Sequence, residues 1–246
     1  MDFFIIFLIG LGTSFFGSFM SGGLALLGMT GLLATGMSPL IALGVYRVGT
    51  FGFSMGSLYK YVQAKKVIWS LIPAMTVAGI IGSVIGAQII ISTDEGLLEK
   101  IIGVVILFFI PVAMLRPKLG IIDTVVTAQS RFFGHISYFL ASIWSASVAI
   151  GTGLIVMYPM MHFYGMTLLQ VKGTNRIPSL IKNIVVIAIF HYYELITWDV
   201  GLVFALGMLI GGWFGAQYAI KIGDIWLRYI LLATIGLFSV KLILGF

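Results

Sequence analysis

Uncharged apolar runs close to twenty residues long follow one another along nearly the whole chain. A helix rises about 1.5 Å per residue, so each run is long enough to cross a hydrocarbon layer roughly 30 Å thick. No stretch is left for a separate soluble domain. Only 9% of the 246 residues are charged, against about 25% in soluble globular proteins, so lipid must be the solvent for most of the surface. The runs lack the two-residue alternation of a membrane barrel, which makes helices the expected element. The chain enters its first apolar stretch directly after Met1 and Asp2, without a basic leader, and that helix is expected to stay in the mature protein.

The formal net charge is +6, but the 14 Lys and Arg are scattered between apolar runs. Phosphate-backbone binding needs a clustered basic face, so nucleic acid is excluded as a partner. There is no cysteine, which removes disulfides, thiolate metal sites and cysteine nucleophiles. No His, Asp and Glu set has ligand spacing. No metal or cofactor is expected, and an embedded enzyme is disfavoured.

Compared with itself at an offset of 129, the sequence matches without a gap over residues 22–91 and 151–220, with 13 of the 70 pairs identical. The identities fall on Gly36/Gly165, Gly44/Gly173, Arg47/Arg176, Trp69/Trp198 and Gly86-Ala87-Gln88 against Gly215-Ala216-Gln217. Their concentration at glycines, an arginine and tryptophans predicts a duplication, with repeats over 1–120 and 121–246. The expected fold is an all-α polytopic transmembrane bundle of about eight long spans and two short segments. Each repeat reads as a span (3–22; 132–150), a short segment (24–36; 153–165) and three more spans (38–62, 67–92, 97–115; 167–193, 198–221, 226–246).

Thirteen helical residues reach only about 20 Å, less than a crossing. Short glycine-flanked segments in matching places of two repeats point to a transporter's binding site. If the segments turn back on themselves, each repeat has four spans and the repeats are parallel. If they cross, each has five and the repeats are inverted. Inversion gathers Lys60, Lys65, Lys66, Arg116, Lys118, Arg131, Lys221 and Arg228 on one face, leaving Lys100 and Lys241 opposite. The positive-inside rule therefore leans toward inversion. Gly82, Gly86, Gly207, Gly211 and Gly215 have the spacing that lets helices pack closely.

Ser38-Pro39 and Thr167 with Gln170 have the form of helix starts. Nine residues on from either lies Arg47 or Arg176, about 13 Å along the axis and near mid-membrane. One face then carries Leu43, Arg47, Thr50 and Ser54 in the first repeat, and Lys172, Arg176, Ser179 and Asn183 in the second. The carboxylates fall around loops and span ends. A buried guanidinium demands a partner, and an anion would supply it. Helix ends at Gly22-Gly23 and Gly151-Thr152-Gly153 could add N–H donors to the same ligand. Alternatively, the arginines tie down backbone carbonyls freed by a broken helix.

The segment Gly151-Thr152-Gly153 with Pro159, followed by Lys172-Gly173-Thr174-Asn175-Arg176-Ile177-Pro178, resembles the TauE/SafE sulfite exporter family, as do Gly22-Gly23 and Ala42-Leu43-Gly44. The first half departs from the pattern with Thr30 where the family commonly has Pro, and Val45-Tyr46 where it has Thr-Ser or Thr-Asn. The resemblance implies a transporter of sulfite, sulfonates or related compounds in a prokaryotic inner membrane. The expected partners are a small anionic substrate and the lipid bilayer, with the coupling ion open. The expected site joins Arg47, Thr50, Ser54, Lys172, Thr174, Asn175, Arg176, Ser179 and Asn183 to the two glycine breaks. Alternating access is the leading mechanism, with a passive anion channel or an assembly subunit as alternatives.

Overall fold

The computed structural model describes residues 2–20, 23–92, 126–147 and 152–244. The expected span 97–115, the repeat boundary, Gly22, Gly151, Lys100, Arg116, Lys118 and the side chain of Lys241 lie outside what is described. All elements among the described residues are helical. They are α1 (Phe3–Gly17), α2 (Gly23–Ala34), α3 (Pro39–Gln63), a 3-10 turn (Trp69–Leu71), α4 (Ile72–Ser92), α5 (Ala128–Ser147), α6 (Thr152–Tyr164), α7 (Leu168–Thr174), α8 (Arg176–Tyr192) and α9 (Trp198–Leu244). Two described stretches, Trp69–Ser92 and Trp198–Ile230, are long and apolar enough to cross a membrane by length and composition.

Local chemistry sets the boundaries. Asp2 accepts from the Phe4 N–H at 2.9 Å and caps α1. Thr167 and Gln170 form both bonds of a capping box, while Ser38 caps α3 by position, with Pro39 as its first helical residue. Proline lacks a donor, so Pro178 cannot bond back to Thr174, and the expected single span 167–193 is divided into α7 and α8. α3 ends on Lys65 at φ 54°, with the Lys66 N–H reaching back to the Tyr61 carbonyl at 2.9 Å. α8 ends in the same way on Glu194 at φ 57°, with Leu195 bonded to Phe190 at 2.9 Å. This is the left-handed cap that satisfies the last carbonyls. α1 is shorter than the expected 3–22, and α9 is broken at Gly223 (φ 84°, ψ 171°), which absorbs the junction expected between two spans.

These details recur at the same offset. Adding 129 to the starts of α2, α3 and the 3-10 turn gives those of α6, α7 and α9. Positive φ recurs at Gly36 and Gly165, and again at Lys65 and Glu194.

Glycine contacts fix the directions. A Cβ at Gly52 would meet the Ala205 carbonyl carbon at 3.0 Å, and one at Gly56 that of Leu209 at 2.9 Å, so α3 and α9 run parallel. Gly207 lies on Leu11 and Gly215 on Phe15, so α1 runs with α9. Gly82 lies on Phe139 and Gly86 on Ile143, so α4 runs with α5. Tyr138 meets Asn175 and Ser145 meets Lys182, so α8 runs with them. α8 itself opposes α3, because Gly173 meets Tyr61 while Leu195, just beyond the end of α8, meets Gly44. The group α1, α3, α9 thus runs opposite to α4, α5, α8, and elements at matching positions point in opposite directions.

The short segments turn back. Gly17 lies against Leu24 and Gly28 against Thr13, so α2 returns antiparallel along α1. In α5 and α6, the Ser130 hydroxyl donates to the Phe163 carbonyl at 2.9 Å and Gly134 abuts Tyr164. Re-entry goes with parallel repeats only where the first helix is a complete span. α1 has only 15 residues and forms a hairpin with α2, so re-entry accompanies opposed directions.

One end of the bundle carries Lys60, Lys65, Lys66, Arg131 and Lys221, and the other Asp2, Glu194 and Asp199. Arg228, grouped with the basic face in the sequence, is 2% exposed, with its guanidinium 5.7 Å from the Tyr158 ring centre.

Candidate functional site

The two hairpins bring four helix ends to the interior. α1 reaches about 22 Å from its start and stops at Gly17, beside the first turn of α2. α5 and α6 approach from the opposite side. Between them lies a cavity of about 130 Å³ whose walls also include α3, α7 and α8.

Of the expected residues, Arg47, Thr50, Ser54, Thr152, Gly153, Lys172, Asn175, Arg176, Ser179 and Asn183 line this cavity together. Gly23 opens α2, and the two residues after it, Leu24 and Ala25, stand in the wall. Thr174 does not reach it. Its fully buried hydroxyl accepts from the Ile68 N–H at 3.0 Å, tying the α3–α4 connection to α7. Lys182, Ser145, Tyr46 and Phe53 also stand in the wall. Lys182 lies one position off the face that carries Lys172, Arg176, Ser179 and Asn183 in the sequence. Ser145 had no signal, because α5 matches α1 at an offset of 128: Gly211 packs on Ser14 where Gly82 packs on Ser142.

The cations have distinct partners. Arg47 donates from Nη2 to the Ala146 carbonyl in the last turn of α5, at 2.7 Å. Lys172 donates from Nζ to the Ser18 carbonyl at the end of α1, also at 2.7 Å. Ser18 and Ala146 are equivalent at the offset of 128, so each carbonyl end of a broken helix is bonded by a cation from the opposite half. Lys182 donates to the Ser145 hydroxyl at 3.1 Å. The Arg176 guanidinium stacks 4.1 Å from the Phe53 ring centre and 5.8 Å from that of Tyr61. Both arginine Nε groups are buried without a hydrogen-bond partner among the described residues.

The surroundings are arranged for negative charge. The C-terminal ends of α1 and α5, which carry partial negative charge, are compensated by Lys172 and Arg47. The N-terminal turns of α2 and α6, which carry partial positive charge, supply wall residues at Leu24, Thr152 and Gly153. Thr50 donates to the Arg47 carbonyl at 2.9 Å, and Asn175 accepts from the Tyr138 hydroxyl at 2.6 Å. Among the described residues, no Asp or Glu stands in the wall. Among the described residues no group of three or more His, Cys, Asp or Glu is placed to hold a metal. Asp224 is not in the wall; it accepts from the Leu169 N–H at 2.7 Å and lies 3.9 Å from Lys66.

A "Probable membrane transporter protein" of Haemophilus influenzae is 24% identical over 239 residues, covering 97% of this chain and 93% of the relative. The "Probable membrane transporter protein YfcA" of Escherichia coli is 23% identical over 242 residues, covering 97% and 88%. A "Probable membrane transporter protein ORF9" of Sinorhizobium sp is 22% identical over 204 residues, covering 82% and 78%. No solved structure matches the chain. Residues 6–242 match the family described as Sulfite exporter TauE/SafE. A match spanning nearly every residue places this chain in the Sulfite exporter TauE/SafE family.

Proposed function

We propose that the protein is a multi-pass inner-membrane carrier for a small anion, most specifically sulfite or another sulfur oxyanion or organosulfonate, working by alternating access between two duplicated, inverted repeats. One observation carries this reading: Arg47, Arg176, Lys172 and Lys182 converge on one cavity of about 130 Å³ with no carboxylate among the described residues of its wall. Four basic groups shielded from water need a counter-ion, and none comes from the described residues of the wall. Guanidinium forks suit the flat or tetrahedral face of an oxyanion. The family match supports a sulfur-containing substrate. The opposed directions of matching elements support a rocking exchange in which either half can open. The basic end of the bundle faces the cytoplasm by the positive-inside rule.

The test is a thermal-shift screen of purified protein with sulfite, sulfate, thiosulfate, methanesulfonate, taurine and chloride, followed by flux into proteoliposomes. An anion at a hundred times its Kd stabilises the folded state by about 2.7 kcal/mol. Selective stabilisation by a sulfur oxyanion, with flux accelerated by the same anion on the far side, is the expected result. Flux that never saturates and ignores the far side would make the path a channel, and absence of any anion effect would overturn the reading.

A further inference from the structure

The four basic groups around the cavity differ in one respect that bears on what travels with the anion. Arg47 and Arg176 hold their protons under all ordinary conditions. Lys172 is fixed on the Ser18 carbonyl, which can only accept and sits at a helix C-terminus that favours a cation. Lys182 alone is bonded to a hydroxyl, Ser145 Oγ at 3.1 Å. A hydroxyl accepts from an ammonium and, after rotation, donates to an amine, so this pair is satisfied with or without the proton.

The described groups facing Lys182 add no negative charge. From α5 come the Tyr138 ring, 5.6 Å from Nζ, and Ser145; the Tyr138 hydroxyl is committed to Asn175. α4 offers Gly79, whose Cβ position is 3.8 Å from Lys182 Cδ. α3 brings Arg47 into the same wall, and α7 and α8 bring Lys172 and Arg176. Among the described residues, no carboxylate or histidine stands in that wall. An empty cavity therefore sets Lys182 among like charges, and a bound anion reverses the sign of its surroundings.

We propose that Lys182 is a proton-binding site that couples anion passage to one proton, the neutral amine of the empty cavity taking up a proton as the anion enters and releasing it as the anion leaves. The step balances as amine plus proton plus anion giving an ammonium–anion pair, with no bond to the anion formed or broken. It rests on the anion-site reading above.

Calorimetric titration of purified protein with sulfite, thiosulfate and methanesulfonate, in buffers of different ionisation enthalpy, counts protons taken up per anion. Thiosulfate and methanesulfonate carry no titrating proton near neutral pH. For sulfite, the difference between wild type and Lys182→Arg cancels the anion's own titration. Wild type should take up about one proton per anion, and its affinity should weaken about tenfold per pH unit across the range where that uptake occurs. Lys182→Arg, permanently charged, should bind without linked uptake and should lose accumulation driven by a pH gradient in proteoliposomes. Wild-type binding with no uptake at any pH overturns the coupling and leaves the anion site standing. Uptake that persists in both Lys182→Arg and Lys182→Gln overturns the assignment to Lys182. Failure of all three probes to bind overturns the anion site itself.

Discussion

The two arginines make the same sequence signal but hold different places, and replacing each with glutamine separates their duties. Arg47 donates at 2.7 Å to the Ala146 carbonyl at the end of α5. Losing a charge-assisted bond costs about 1.5 to 3 kcal/mol, offset in part because a buried cation is also removed. Arg176 makes no such backbone contact among the described residues; its guanidinium rests on Phe53 at 4.1 Å, a stacking worth about 0.5 to 2 kcal/mol. Arg47→Gln should therefore lower the unliganded stability by about 1 to 2 kcal/mol, and Arg176→Gln by less than about 1. Both should weaken thiosulfate or sulfite binding by roughly tenfold to a hundredfold, the equivalent of one charged contact. Arg176→Lys should rescue poorly, since lysine keeps the charge without the fork. Thermal denaturation in detergent without anion, paired with anion titration of the same samples, reads both quantities. If Arg176→Gln loses as much stability as Arg47→Gln and binds anion like wild type, the guanidinium is a structural prop and the site assignment fails.

Three further outcomes can be measured. Gly56→Ala should cost about 1 to 3 kcal/mol by overpacking, because its Cβ would meet the Leu209 carbonyl carbon at 2.9 Å, whereas Gly12→Ala, with nothing within 4 Å, should be neutral or slightly stabilising; thermal melts of the pair check this. Thr174→Val should cost about 1 kcal/mol by orphaning the Ile68 N–H while leaving anion affinity unchanged, and an affinity loss would bring Thr174 back into the site. A cysteine at Lys65 should resist an impermeant thiol reagent from outside intact cells and react after lysis, since Lys65 belongs to the basic end; labelling from outside would reverse the orientation.

Much of the fold was legible because its punctuation is chemical. The capping box at Thr167, the proline start at residue 39 and the repeat of Gly36 at Gly165 mark boundaries by local rules that need no tertiary information. The helical stripe through Arg47, Thr50 and Ser54 was likewise readable, since 3.6-residue periodicity fixes which side chains share a face. The division at Pro178 was also available, because the missing donor is written in the sequence, yet apolar continuity across 167–193 masked it. What the cations touch was not legible. Arg47 reaches a carbonyl 99 residues away in the opposite half, and backbone carbonyls carry no residue signature. Ser145 was hidden by the one-residue change of offset in the first helices, outside the gapless match. Thr174 shares the motif around Arg176 but points from a different side of the turn, toward Ile68.

The exchange of cations between halves also imposes an order on biosynthesis. The carbonyl end of α1 at Ser18 finds its partner, Lys172, 154 positions further along the chain. At about 5 to 20 residues per second of synthesis, the interval is roughly 8 to 31 seconds. Throughout that time α1 sits beside or in the bilayer with a polar end that hydrocarbon cannot solvate, so water, lipid headgroups or the insertion machinery must hold it. A nascent chain halted before residue 172 is thus a poorly inserted one, and cellular quality control has a window of seconds in which to recognise it.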